Sequence, residues 1–136
     1  MLGKSVKKRV FICYDIVNDA RLLEFVTKQS RQSDSPFMIL EHSRKWEPPE
    51  SEWREKLKKT LAWAELMFIM VGKKTFKSAN VNEEVDMAYK LGKPIMQFCD
   101  PDAKFAECKA LPKAGKLYKW EWENLKEVMN KLQYIP

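Results

Sequence analysis

Leu66-Met67-Phe68-Ile69-Met70-Val71, then Ser78-Ala79-Asn80-Val81-Asn82-Glu83-Glu84-Val85, then Pro94-Ile95-Met96-Gln97-Phe98 decide the fold of this chain. The first run is short, continuous and apolar, as a parallel strand covered on both faces should be. Gly72 stops it. Val81, Val85, Ala88 and Leu91 then recur at three- and four-residue spacing, which puts them on one buried stripe of a helix that Gly92 ends. The third run reads as the next strand. Glu84 flanks the stripe in what the spacing makes the first helical turn, near the carboxyl end of a strand, where open α/β sheets build their ligand crevices. A carboxylate there can equally do no more than complement the helix dipole, and spacing alone leaves both readings open.

Working outward, Arg9-Val10-Phe11-Ile12-Cys13-Tyr14 reads as a first strand, followed by a helix capped by Asn18 with Leu22, Phe25 and Val26 inward. A second strand, Phe37-Met38-Ile39-Leu40, follows Pro36. Residues 41–49 are polar, hold His42, Trp46 and a Pro-Pro pair, and read as a loop. A helix from about Ser51 carries Trp53, Leu57, Leu61 and Ala64 on one stripe. Beyond Phe98 an irregular segment with Pro101 and Pro112 leads to a last short strand, 116–120, and a closing helix with Leu125, Val128, Met129 and Leu132 inward.

Five apolar runs alternating with helices are βαβ units, and right-handed crossovers turn them into a parallel sheet with helices on both faces. The expected fold is therefore an α/β three-layer sandwich of flavodoxin-like type with strand order 2-1-3-4-5. In that order the switch point falls between the first and third strands, so residues after Tyr14 and after Val71 share a crevice with the loop before Glu84.

At 136 residues the chain is expected to be one domain, 1–136, able to form a hydrophobic core without staples. With 45% hydrophobic and 32% charged residues it has the composition of an ordinary globular protein. The first nine residues are basic but lack an apolar stretch long enough for a signal peptide or membrane span, so a cytoplasmic location and no membrane partner are expected. Cys13, Cys99 and Cys108 form no CxxC pair and read as core thiols. A net charge of +6 invites a nucleic-acid reading. However, Lys56, Lys58 and Lys59 are spread round a helix that also carries Glu52 and Glu55, so no specific nucleic-acid partner is expected. A mild attraction for polyanions, phosphorylated nucleotides included, remains.

Several occupants of this architecture lack their residues here. Asp15-Ile16-Val17-Asn18-Asp19 is not the Ser/Thr/Gly-rich phosphate loop of a flavodoxin, and Val71-Gly72-Lys73 stands where a receiver domain has its phosphoacceptor aspartate. Neither a GxGxxG turn nor a P-loop is present. His42 is the only histidine and has no Ser or Cys motif beside it. No His/Cys pair has metal-ligand spacing, so no metal is expected.

Arg9-Val10-Phe11-Ile12-Cys13-Tyr14-Asp15, Val71-Gly72-Lys73-Lys74-Thr75, Ser78-x-x-Val81-x-x-Glu84-Val85 and Leu91-Gly92-Lys93-Pro94-Ile95 resemble, in order and spacing, the TIR-like domains of the Thoeris anti-phage system. The ending Lys119-Trp120-x-Trp122-x-Asn124-Leu125 shares the likeness, which covers most of the chain. This chain departs from the family pattern in having Cys13 for a serine and Asn80 for a tryptophan.

The resemblance implies cleavage of the nicotinamide–ribose bond of NAD, with Glu84 as the catalytic glutamate, NAD as substrate and no cofactor. It implies an ADP-ribose-derived, cyclic signal that activates a separate effector protein, and it leaves room for a phage-derived activator and a homo-oligomer. Matched motifs and crevice together make Cys13, Tyr14, Asp15, Lys73, Lys74, Thr75, Ser78 and Asn80 the expected substrate-binding residues, with Lys73 or Lys74 at the pyrophosphate. Trp46 is open between covering the nicotinamide, packing in the core and forming a protein contact. Two rival readings stand beside this one: a non-enzymatic TIR-like interaction module, and an enzyme like the nucleoside deoxyribosyltransferases, which share a related sheet and a catalytic glutamate.

Overall fold

The computed structural model describes residues 7–45 and 50–132; the expectations for Trp46, for the first six residues and for the Leu132 side chain lie outside what is described. Five parallel strands, β1 (Lys8–Tyr14), β2 (Phe37–His42), β3 (Leu66–Val71), β4 (Ile95–Cys99) and β5 (Leu117–Tyr118), form one sheet in the order β2-β1-β3-β4-β5. The order is the one the alternation of runs predicts. Tyr14 lies opposite Met70 in the β1–β3 pairing, so the carboxyl ends of these two strands come side by side at the switch point.

The pleat divides the strand residues between two cores. Phe11, Cys13, Met67, Ile69 and Val71 face α2 (Glu50–Trp63) and α3 (Ala79–Lys90), where Leu57, Leu61, Val81, Val85 and Ala88 meet them. Val10, Ile12, Tyr14, Phe68, Met70 and Phe98 face α1 (Ala20–Ser30) and α4 (Trp122–Leu132), where Leu22, Val26, Leu125 and Met129 are buried. On that side Trp120 packs edge-on against Phe25, Phe37, Phe68 and Phe98, and its indole N–H donates to Gln29 at 2.9 Å. All six residues of β3 are buried, which explains why its sequence shows no alternation.

Four local expectations need correction. Asn18 does not cap α1: Asp19 holds that position without a side-chain cap, and the Asn18 amide instead donates to Asp15 Oδ2 at 2.7 Å. β2 runs on through Glu41 and His42, because a register step lets Phe11 pair with Glu41 after Val10 pairs with Ile39. β4 starts after Pro94, whose nitrogen has no proton to give the ladder, and extends to Cys99. β5 keeps only the two residues that pair with Gln97 and Phe98, since Trp120 leaves the sheet edge for the aromatic cluster.

Candidate functional site

Ser78 begins α3 in extended conformation, and its hydroxyl accepts from Val81 N at 3.3 Å, the usual use of serine at a helix start. That start makes Glu84 the sixth residue of α3. It therefore stands in the second turn rather than the first, beyond the reach of the dipole effect that the spacing left open. Its side chain runs toward β1 and is 1% exposed.

Three parts of the chain meet at this carboxylate. Ser43, the residue after β2 and fully buried, donates its hydroxyl to Glu84 Oε1. The same hydroxyl accepts from Tyr14 N at 3.0 Å, and Ser43 N donates to Ile12 O at 2.8 Å, so the end of β2 is fastened to the end of β1. Asn80, one helical turn before Glu84, donates from Nδ2 to Glu84 Oε2 at 3.2 Å and to Tyr14 O at 2.9 Å. Its Oδ1 accepts from Ile16 N at 3.3 Å and from Ser78 Oγ at 2.9 Å. Where the family pattern has a tryptophan, this chain has an amide whose hydrogen-bonding atoms are all in use.

Burial, with the charge and hydrogen bond of Glu84 adding to it, holds the Cys13 thiol well above its usual range. Cys13 is thus a protonated core thiol, not a nucleophile. Burial and the Glu84 charge also raise the Tyr14 phenol, against a smaller opposing effect of Arg44.

A cleft of about 390 Å³ opens beside Asn80, lined by Asp15–Asn18, Lys74, Lys77 and Ser78–Asn80. Asp15 shapes its wall: Oδ1 accepts from Val17 N at 3.0 Å and Asn18 N at 3.2 Å, which sets the turn after β1. Of the expected binding residues, the structure brings Asp15, Lys74, Ser78 and Asn80 to this cleft. Cys13 and Tyr14 lie beneath it, in contact with the Glu84 network. Lys73 turns away to Glu107, at 3.2 Å. Thr75 is fully buried; it accepts from Gly72 N at 2.7 Å and donates to Asp19 Oδ2 at 3.2 Å, which makes it a fastener of the β3 turn with no face toward a ligand. A larger cleft of about 470 Å³ lies between Glu83 and Pro112 and carries the carboxylates of Glu83 and Asp86, but it is lined by no strand end and lies away from the switch point.

Sequence reasoning missed Ser43 and Lys77. Ser43 carried one usable signal, a small hydroxyl directly after the strand that neighbours β1. Lys77 carried none, since its direction depends on the short 3₁₀ turn at Thr75–Lys77. Among the described residues no group of three His, Cys, Asp or Glu side chains is placed to hold a metal ion, and no helix is long and apolar enough to cross a membrane.

A parallel sheet ordered 2-1-3-4-5, with a buried glutamate on the helix after β3 reaching the switch point, is the arrangement of a TIR-like α/β domain. The family model described as "Thoeris protein ThsB, TIR-like domain" matches residues 11–104, more than two thirds of the chain. The chain belongs to this family and is a defence-related TIR-like protein. The match takes in Cys13, Ser43, Asn80 and Glu84 and ends before β5. No curated protein matches the chain.

Proposed function

We propose that this protein cleaves the nicotinamide–ribose bond of NAD, using Glu84 as its catalytic carboxylate, and passes the ADP-ribosyl group into a cyclic nucleotide signal for a separate effector. The observation that carries the reading is Glu84 itself, bonded on one oxygen by Ser43 and on the other by Asn80 at the switch point, beside a cleft lined by Lys74 and Lys77.

The chemistry suits one carboxylate. Most glycosidases need a second to protonate the departing oxygen. Nicotinamide instead leaves as a neutral molecule: the bond from ribose C1′ to the ring nitrogen breaks, its electron pair neutralises the ring, and the ribose becomes oxocarbenium-like. A carboxylate stabilises that cation by its charge and by accepting from ribose hydroxyls. Attack by water gives ADP-ribose, and attack by a hydroxyl or ring nitrogen of the same molecule gives a cyclic product; either releases one proton. No cofactor takes part. Lys74 and Lys77, which line the cleft, would meet the pyrophosphate. The cytoplasm, where NAD is available, is the proposed site of action, with a phage-derived activator and self-association as the means of switching it on.

One observation favours a non-enzymatic interaction module instead: Glu84 is 1% exposed and the cleft stops short of it. Incubating the protein with NAD and lysate from phage-infected cells, then separating products by mass, decides between the two. Release of nicotinamide with an ADP-ribose-derived product is expected. Intact NAD in infected and uninfected lysates alike would refute the enzymatic reading.

A further inference from the structure

We propose that Asn80 is the gate of this site: in the closed form described here its amide bars the cleft from Glu84, and it must turn away for a ribose to reach the carboxylate. The proposal rests on the reading of Glu84 above as the group that meets the substrate. Its basis is that one side chain belongs to both places. Asn80 lines the cleft, and the same Nδ2 donates to Glu84 Oε2. Its other bonds, to Tyr14 O, Ile16 N and Ser78 Oγ, tie the turn after β1 to the start of α3 across the mouth of the site.

The exchange that opens the gate is chemically even. A ribose hydroxyl donates to Glu84 Oε2 in place of the Asn80 amide, so the carboxylate keeps a donor while substrate enters. Ser43 is not part of the moving set. Its hydroxyl is fully buried and fastened to β1, so it holds Oε1 and keeps the carboxylate aimed while Oε2 changes partner. A tryptophan in place of Asn80 could not do this, since its single N–H could not bridge Tyr14 O and Glu84 while also accepting from Ile16.

The chain carries a reporter that does not depend on turnover. Cys13 is fully buried and hydrogen-bonded to Glu84, so whatever opens a path to the carboxylate also opens one to this thiol. Cys99 and Cys108 are buried elsewhere, their sulfurs 3.0 Å apart behind β4. They record global opening in the same molecule. The experiment is iodoacetamide labelling of the full chain at mildly alkaline pH, with each cysteine followed by peptide mass. In Asn80→Ala, and in the milder Asn80→Ser, the ratio of Cys13 labelling to that of Cys99 and Cys108 should rise roughly tenfold, as expected when a closed state holding about nine-tenths of the molecules is lost. With activated protein, Asn80→Ala should lower KM for NAD by a similar factor. An unchanged labelling ratio in both variants would overturn the gate, as would a fall in kcat at constant KM, which is the mark of a group that only orients Glu84. Absence of NAD cleavage by the wild-type protein would instead remove the chemistry proposed above, while a raised labelling ratio would still show that Asn80 closes the path to Glu84.

Discussion

Replacing Glu84 by glutamine separates a catalytic carboxylate from a structural one, because the two roles differ in size by several kilocalories. In the structure Oε1 accepts from Ser43 and Oε2 from Asn80. A glutamine can satisfy Ser43 and Asn80: its oxygen faces Asn80 Nδ2, and its amide donates to Ser43 Oγ, which turns its own proton toward Ile12 O, 3.5 Å away, while the Cys13 thiol, a weak donor, loses a charged acceptor. Charge-assisted bonds worth about 1.5–3 kcal/mol each become neutral ones worth about 0.5–1.5 kcal/mol. The desolvation of a buried charge is relieved at the same time. The expected change in stability is therefore within about 1–2 kcal/mol of zero. If Glu84 stabilises an oxocarbenium-like ribose, however, loss of its charge should slow nicotinamide release by about 10²–10⁴-fold, equivalent to ~3–5 kcal/mol of barrier. Glu83 is the internal control, since it is half-exposed and its carboxylate pairs with Arg54 at 2.8 Å on the outside of α3. Glu83→Gln should keep full activity. Nicotinamide release by activated protein is the assay, alongside urea denaturation of each variant. A Glu84→Gln protein with more than about a tenth of wild-type activity would refute the catalytic assignment, and equal losses in both variants would trace the effect to local packing.

Gln97 is fully buried; it donates to Leu111 O at 3.1 Å and Gly115 O at 2.6 Å and accepts from Leu111 N at 2.9 Å, so Gln97→Ala should cost about 3 kcal/mol or more in urea denaturation with an unchanged m-value. A cost below about 1 kcal/mol would mean that residues 111–115 do not depend on it. A Cβ on Gly72 would meet Asp19 Oδ2 at 2.6 Å, so Gly72→Ala should lose about 1–3 kcal/mol and regain most of it when combined with Asp19→Ala. Additive losses would contradict the clash. Burial, with Asp15 and Asp100 nearby and Thr75 opposing, raises the Asp19 carboxyl above its ordinary value. A raised folded-state pKa means that the native state holds the proton more tightly than the unfolded chain, so ionised Asp19 costs stability at neutral pH and protonated Asp19 does not. Asp19→Asn should accordingly raise the melting temperature at pH 7, with the gain shrinking to nothing below the unfolded-state pKa of about 3.9. A gain that grew on acidification would reverse the sign and refute the account.

The parts of the fold that the sequence made legible are those carried by period and punctuation. The unbroken run of β3, the stripe of Val81, Val85 and Ala88 and the glycine after Leu91 each have one physical reading, and together they lead to the observed strand order. Side-chain direction at strand ends was less legible, because it is decided by partners distant in sequence. Thr75 looked like a loop residue open to a ligand and is sealed against Asp19; Lys73 looked equivalent to Lys74 and is drawn off by Glu107. Ser43 was hidden for a related reason. Its role exists only because β2 extends past Leu40 and delivers it to the end of β1, an extension that depends on a register step no local pattern announces.

The two adjacent glutamates of α3 carry the remaining argument. A carboxylate kept only to complement a helix dipole acts best from the first turn and from the surface, where solvation keeps its charge inexpensive. Glu83 is exposed and paired with arginine, as a surface carboxylate should be, and Glu84 is its opposite in each respect. It stands past the first turn, is removed from solvent, and is met by donors from the end of β2 and from its own helix, with the end of β1 bound to both donors. Helix formation asks for none of these arrangements, and the last of them depends on a hydroxyl at Ser43 and an amide at Asn80. Convergence of the chain on one carboxylate at the switch point is what a site requires, and on the proposed reading the Asn80 amide over it is why such a site would be assembled and yet closed to substrate.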